Sequence, residues 1–244
     1  MTALPPALTD DHKAYLGRLG FDTPPPATLE SLVALHRAHL DAVPYENLDI
    51  MLGRPASTEP ADVVARLGRG GRAGYCFHQN GALGSLLVAL GYDVDRRHGH
   101  VWTDPGHRFD TSLNHLVLLV RRLPTDDHLS GTWWPDVGLG EGFRDPVPLT
   151  AGQVRDPSLD FEVMEVTDEG WSFRGGVDTV RGCVATHVGL DGDSTRDLSG
   201  FDEWREVLAD GQRLPLDDVP LDDLRALWDR TAAAHRAWVA AGRL

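Results

Sequence analysis

Cys76 stands where a glycine-rich loop, Gly68 to Gly74, runs into an apolar, helix-like segment. At a helix start, unpaired backbone N–H groups and the positive end of the dipole favour a thiolate. The same N–H groups can receive the oxyanion formed when that thiolate attacks a carbonyl. A nucleophile of this kind needs an imidazole to exchange its proton with, and the imidazole needs a carboxylate to fix its tautomer. His115, 39 residues on, opens a β-branched apolar run, and Asp136 lies 21 residues further between Pro135 and Val137. An acid in an apolar run is costly to bury without a partner. Set against this, cysteine is among the most buried residue types and most lone cysteines are inert. With 11 histidines in the chain, spacing alone leaves both readings open.

The elements that must position these residues are legible in outline. Asp10 to Leu19 reads as a helix behind a Thr9 cap, and Thr28 opens a second helix that Pro44 ends. Pro60 starts a third, and a fourth begins near Phe77 with Leu83, Leu86, Leu87 and Leu90 as its buried stripe. Beyond Gly91 the pattern turns to strands: His115 to Val120, Trp133 to Val137, and a hairpin of Phe161 to Val166 and Trp171 to Phe173 around Asp168-Glu169-Gly170. Val180 to Leu190 is one more expected strand, and Leu221 to Val239 returns to helical spacing. Helices first, strands in the middle and a helix last predict an α+β protein rather than a doubly wound sheet.

Four separated motifs then appear in one order: Pro44-Tyr45-Glu46-Asn47-Leu48-Asp49, Arg72 to Asn80, Asn114-His115-Leu116-Val117, and Asp136-Val137-Gly138-Leu139-Gly140. They resemble the PFENLD, RGGYCFExN, histidine-strand and DVGFG elements of the arylamine N-acetyltransferases, over roughly residues 10 to 146. The resemblance implies an N-terminal helical bundle (1–90), a central antiparallel β-barrel (91–186) and a small C-terminal α/β lid (187–244), around a core like that of cysteine proteases. It implies a ping-pong acyl transfer from acetyl-CoA or another acyl-CoA to an amine, arylamine or hydrazine, with no metal. Cys76 is then the nucleophile, His115 the proton shuttle and Asp136 its orienting acid, while Gly138 and Gly140 approach the CoA.

Three departures qualify the match. The family glutamate is His78 here and the first paired glycine is Ala73. His78 reads either as a surface residue, which is preferred, or as a charge favouring the Cys76 thiolate. Leu139 replaces the aromatic of DVGFG, which bears on an arylamine acceptor. Beyond Pro146 the correspondence fades, and the lid is expected to be trimmed or rebuilt. Relatives that work as amide synthases on long or carrier-protein-bound acyl chains are the alternative, and a Cys-His-Asp hydrolase is the second; the papain signature CG[SA]C[WY] is absent.

Composition narrows the rest. The 244 residues are 41% apolar and 25% charged, as in a globular chain. A net charge of −14 disfavours nucleic-acid binding. No apolar run spans a membrane, and the first ten residues lack a secretory pattern, so a cytoplasmic protein is expected. Two cysteines make no disulfide framework. Gly68 to Ala73 imitates a dinucleotide fingerprint, but the preceding segment reads as a helix, not the required strand. His98, His100 and His107 are read as strand-edge histidines rather than a metal site, His36 as a satisfied core residue, and Cys183 as buried. Arg66, Arg69 and Arg72 are candidates for a basic patch that would meet CoA phosphates or an acidic carrier protein.

Overall fold

The computed structural model describes residues 7–101, 114–139, 142–156, 160–167 and 170–175, with 220, 222–223, 225–227, 229–230 and 233 near the C-terminus. Five helices come first: α1 (Asp10–Arg18), α2 (Leu29–Ala42), α3 (Leu48–Met51), α4 (Pro60–Gly68) and α5 (Cys76–Ala89). Seven strands follow: β1 (Asp93–Gly99), β2 (His115–Arg121), β3 (Trp133–Trp134), β4 (Val147–Pro148), β5 (Gly152–Arg155), β6 (Asp160–Val166) and β7 (Trp171–Gly175).

Local chemistry sets the helix ends. Thr9 Oγ1 accepts from His12 N–H at 3.2 Å in a capping box, and Thr28 Oγ1 accepts from Ser31 N–H at 3.2 Å. Pro60 occupies the first turn of α4, where its missing N–H costs nothing. α5 starts at Cys76 itself, one residue before the expected start near Phe77.

The strands form two antiparallel sheets, one of order β1-β2-β3-β4 and one of order β5-β6-β7. Among the described residues these are open sheets, so the expected closed barrel is not found there. β2 is the pivot of the packing. Leu118 and Val120 face the helical core of Leu32, Leu35, Val63, Leu67, Leu83 and Leu87. Val117 and Leu119, alternating with them, face a second core with Trp134, Phe143, Phe161 and Val163. α5 reaches β2 because Gly84 carries no side chain: a Cβ there would fall 2.9 Å from Leu118 Cδ2.

The strand expected over Trp133 to Val137 ends at Trp134. Pro135 cannot donate to a ladder, and Asp136 therefore sits in the turn beyond the strand. β1 was not evident as a strand because its residues, DVDRRHG, are polar and half-exposed. β6 and β7 pair as the expected hairpin, closed by Thr167 N–H to Gly170 O at 2.8 Å. The 180–190 strand, Cys183, His107, and the predicted stripe of Leu221, Leu224, Trp228, His235 and Trp238 lie outside the described residues, as does most of the expected lid. Asp223 meets Arg54 at 3.6 Å, and Arg230 donates to Met51 O at 3.1 Å, so described C-terminal helical residues lie at the end of α3. Among the described residues no helix is long and apolar enough to cross a membrane.

Candidate active site

The loop that delivers Cys76 is held from three sides. Arg18 donates to Gly71 O at 2.7 Å. Arg66 donates to Arg72 O at 2.7 Å and Ala73 O at 2.9 Å. Gln79, from the first turn of α5, donates to Gly74 O at 2.9 Å and Pro44 O at 3.2 Å. Gly74 then turns the chain into the helix at φ +113°, a conformation that disfavours any side chain. Arg72 is buried and pairs with Asp49 at 2.8 Å. The expectation of a basic patch at Arg66, Arg69 and Arg72 is thus corrected: Arg66 and Arg72 spend their guanidinium groups inside the protein, and Arg69 is the exposed one.

Cys76 is 3% exposed at the first position of α5. Its Sγ–H donates to Asn114 O at 3.7 Å, and it lies near enough to the His115 imidazole to help raise that ring's pKa. His115 Nε2–H donates to Asp136 Oδ2 at 2.7 Å, which leaves Nδ1 as the nitrogen for Cys76. Burial pulls the His115 pKa down, but the charge of Asp136, its hydrogen bond and Cys76 outweigh it, and the imidazole is held up at about 10. The structure therefore brings Cys76, His115 and Asp136 into one chain of contacts.

Asp136 is 1% exposed and both its oxygens accept two hydrogen bonds. Oδ2 takes His115 and, at 3.2 Å, Trp134 Nε1–H. Oδ1 takes Asn80 Nδ2–H at 2.7 Å and Gly138 N–H at 2.9 Å. Such a fully donated carboxylate is the arrangement that makes a buried charge tolerable. Gly138 closes this turn directly over the nucleophile: a Cβ there would lie 2.6 Å from Cys76 Cα. Gly140 lies outside the described residues.

His78 is not a surface residue. It is 2% exposed, donates from Nε2 to Ala56 O at 3.2 Å, and its Nδ1 would lie 2.4 Å from a Cβ on Gly74. Burial lowers its pKa, so it is a neutral ring packed beneath the loop. The surface expectation fails because a side-chain-free Gly74 leaves room for a buried imidazole at the helix start.

Residue spacing alone missed Asn80 and Gln79, and it marked His36 only as a satisfied core residue. The signal for the first two was the polar run His78-Gln79-Asn80 on a helix whose other turns are apolar. Tyr15 O–H donates to His39 Nδ1, and His39 Nε2–H donates to Gln79 Oε1 at 2.8 Å, so a neutral buried relay supports Gln79. Burial lowers the His39 pKa to about 3. Among the described residues no group of three or more His, Cys, Asp or Glu could hold a metal.

A family sequence model described as N-acetyltransferase matches residues 28–178. The chain belongs to the arylamine N-acetyltransferase family. It is 37% identical over 148 residues to the arylamine N-acetyltransferase of Mycolicibacterium smegmatis, a match covering 59% of this chain and 52% of that protein. It is 28% identical to human arylamine N-acetyltransferase 1 over 146 residues, covering 59% and 48%. The Mycobacterium marinum arylamine N-acetyltransferase structure superposes with a TM-score of 0.59 at 30% identity, over 68% of this chain and 61% of that one. A second structure of the Mycobacterium marinum protein, in complex with CoA, superposes with a TM-score of 0.52 at 28% identity, over 73% and 69%. The chain spans about half the length of the curated relatives it matches.

Proposed function

We propose that this protein transfers an acetyl group from acetyl-CoA to an amine through an acetyl-cysteine on Cys76. The observation that carries this reading is the continuous contact from Cys76 through His115 to Asp136, with the sulfur at a helix N-terminus. In the first half-reaction Cys76 gives its proton to His115, its sulfur attacks the thioester carbonyl carbon, and the carbon–sulfur bond to CoA breaks. The departing CoA sulfur takes the proton held on His115. In the second half, the amine nitrogen attacks the acetyl-cysteine, its proton passes to His115, and Cys76 leaves as thiolate. The N–H groups at the start of α5 are suited to the oxyanion of both tetrahedral intermediates.

Asp136 acts by orienting the imidazole and stabilising its protonated form, as its four donors and the raised His115 pKa favour. Gly138 offers bare backbone beside the nucleophile, which suits the close passage of a thioester arm. The CoA-bound relative supports the donor class. The family supports a small amine as acceptor.

Intact-protein mass spectrometry after mixing with acetyl-CoA tests the reading. An acetyl adduct is expected on the wild type and none on Cys76→Ala. A wild type that stays unmodified by acetyl-CoA, while Cys76 alkylates readily, overturns the donor assignment in favour of a longer or carrier-bound acyl group. An unreactive Cys76 overturns the mechanism as a whole.

A further inference from the structure

We propose that His36, on α2 and outside the family's sequence motifs read above, is a positioning residue that fixes the backbone of Asp136. The inference rests on the Cys76–His115–Asp136 reading. His36 is fully buried. Its Nε2 accepts from Asp136 N–H at 3.1 Å, and its Nδ1–H donates to Arg144 O at 3.0 Å. One side chain thus holds both ends of the segment from Asp136 to Arg144, and the ring lies flat on Phe143 with centroids 6.0 Å apart at 11°.

Two features make this more than core packing. The first is that the Asp136 N–H has no strand partner, because β3 stops at Trp134 and Pro135 breaks the ladder. His36 is the acceptor that this buried donor finds, and an orphan there would relax by moving the acid's own backbone. The second is that the pair of bonds dictates a single tautomer. Only a neutral ring with hydrogen on Nδ1 can donate to Arg144 O while accepting from Asp136. A protonated His36 would set two donors against each other. Burial lowers the pKa of His36 against the opposing influence of Arg144 O, Asp136 and Asp145, so the neutral ring is maintained. Around it, Arg37 pairs with Asp145 at 2.5 Å and Arg144 with Asp41 at 2.5 Å, locking the same segment to the same helix.

A shift of the Asp136 backbone swings its carboxylate relative to His115, and misplacement of a reacting group by about 1 Å costs on the order of 100-fold. The test compares His36→Gln with His36→Met, similar in length and flexibility. Glutamine keeps one acceptor and one donor, whereas methionine keeps neither. The readout is the rate of Cys76 alkylation by iodoacetamide from pH 5.5 to 9. His36→Gln is expected within about threefold of wild type, and His36→Met about 10- to 100-fold slower at pH 7 with an altered profile. A folded His36→Met with the wild-type rate and profile overturns the proposal, as does a glutamine variant as slow as the methionine one. Should His36→Met not fold, nitrogen NMR of histidine-labelled wild type decides. His36 with hydrogen on Nδ1 and no titration from pH 5 to 9 is expected; hydrogen on Nε2, or titration near the ordinary histidine value, overturns it. A wild-type Cys76 no faster than a free thiol would instead overturn the underlying catalytic reading, and is told apart because the wild type itself is then slow.

Discussion

Asn80 and Asp136 are bound to each other twice over: Asn80 Nδ2–H donates to Asp136 Oδ1 at 2.7 Å, while Asn80 Oδ1 accepts from the next residue's N–H, that of Val137, at 3.0 Å. The same amide nitrogen donates to Leu116 O at 2.6 Å, one residue past His115. A single side chain on the nucleophile's helix therefore ties together the strand that carries the base and the turn that carries the acid. This couples the position of Cys76 to the other two groups through one rigid element.

Removing that tie leaves Val137 N–H and Leu116 O buried without their partner. Asn80→Ala is expected to cost about 3 kcal/mol in urea unfolding. Asn80→Asp is expected to cost more, because it sets a second carboxylate against Asp136 Oδ1. Both variants should alkylate at Cys76 more slowly than wild type. An Asn80→Asp protein as stable as wild type would show that the amide donor is dispensable.

Gly138 tests the close approach of the acid turn to the nucleophile. An alanine Cβ would sit 2.6 Å from Cys76 Cα and 2.8 Å from its Cβ. Backbone on both sides leaves little to yield, so Gly138→Ala is expected to destabilise by about 1–3 kcal/mol. It should also reduce Cys76 reactivity by displacing the turn. Unfolding and alkylation measured on the same preparation check both. An unchanged protein would mean that the turn relaxes without cost.

The His115 imidazole is held up at about 10, against an ordinary 6.5. A raised folded-state pKa contributes stability that is fully present below the unfolded value and is lost as pH rises through the folded one. Stability should therefore decline between about pH 6.5 and 10, by at most roughly 5 kcal/mol from this group. Asp136→Asn removes the charge responsible, and the decline in urea midpoints over that window should flatten. An equally steep decline in Asp136→Asn would assign it to other groups.

How far the sequence carried this picture depended on whether each signal was local. The ends of α1, α2 and α4 were legible because Thr9, Thr28 and Pro60 act on their own first turns. β2 was legible because nearly every residue in it is buried and apolar. β3 was legible but read three residues too long, while β1 and β4 were not, since what defines them is the neighbour they pair with. Cys76, His115 and Asp136 were placed by spacing and motif together. The polar residues that hold them, His36, Asn80 and Gln79, make key contacts across 36 to 100 residues of chain, which no local pattern encodes. His36 was correctly read as a satisfied core histidine, but what satisfies it became visible only in three dimensions.

The two kinds of arginine pair should separate cleanly in mutation. Arg37 and Asp145 are each about half exposed, so water screens their charge and the pair must order two mobile side chains. Arg37→Ala should cost at most about 1 kcal/mol, and less in high salt. Arg72, by contrast, is only 6% exposed at its side chain and faces Asp49, with Glu46 close enough to feel its charge. Arg72→Ala strips the balancing cation from partly buried carboxylates and should cost about 3–5 kcal/mol, a loss that added salt does not restore. Since Arg72 O is also what Arg66 grips at 2.7 Å, disorder there should spread to the Cys76 loop. Arg72→Ala should then lose Cys76 reactivity even at temperatures where it stays folded, whereas Arg37→Ala should keep it. Equal losses in the two variants would mean that burial does not govern these pairs.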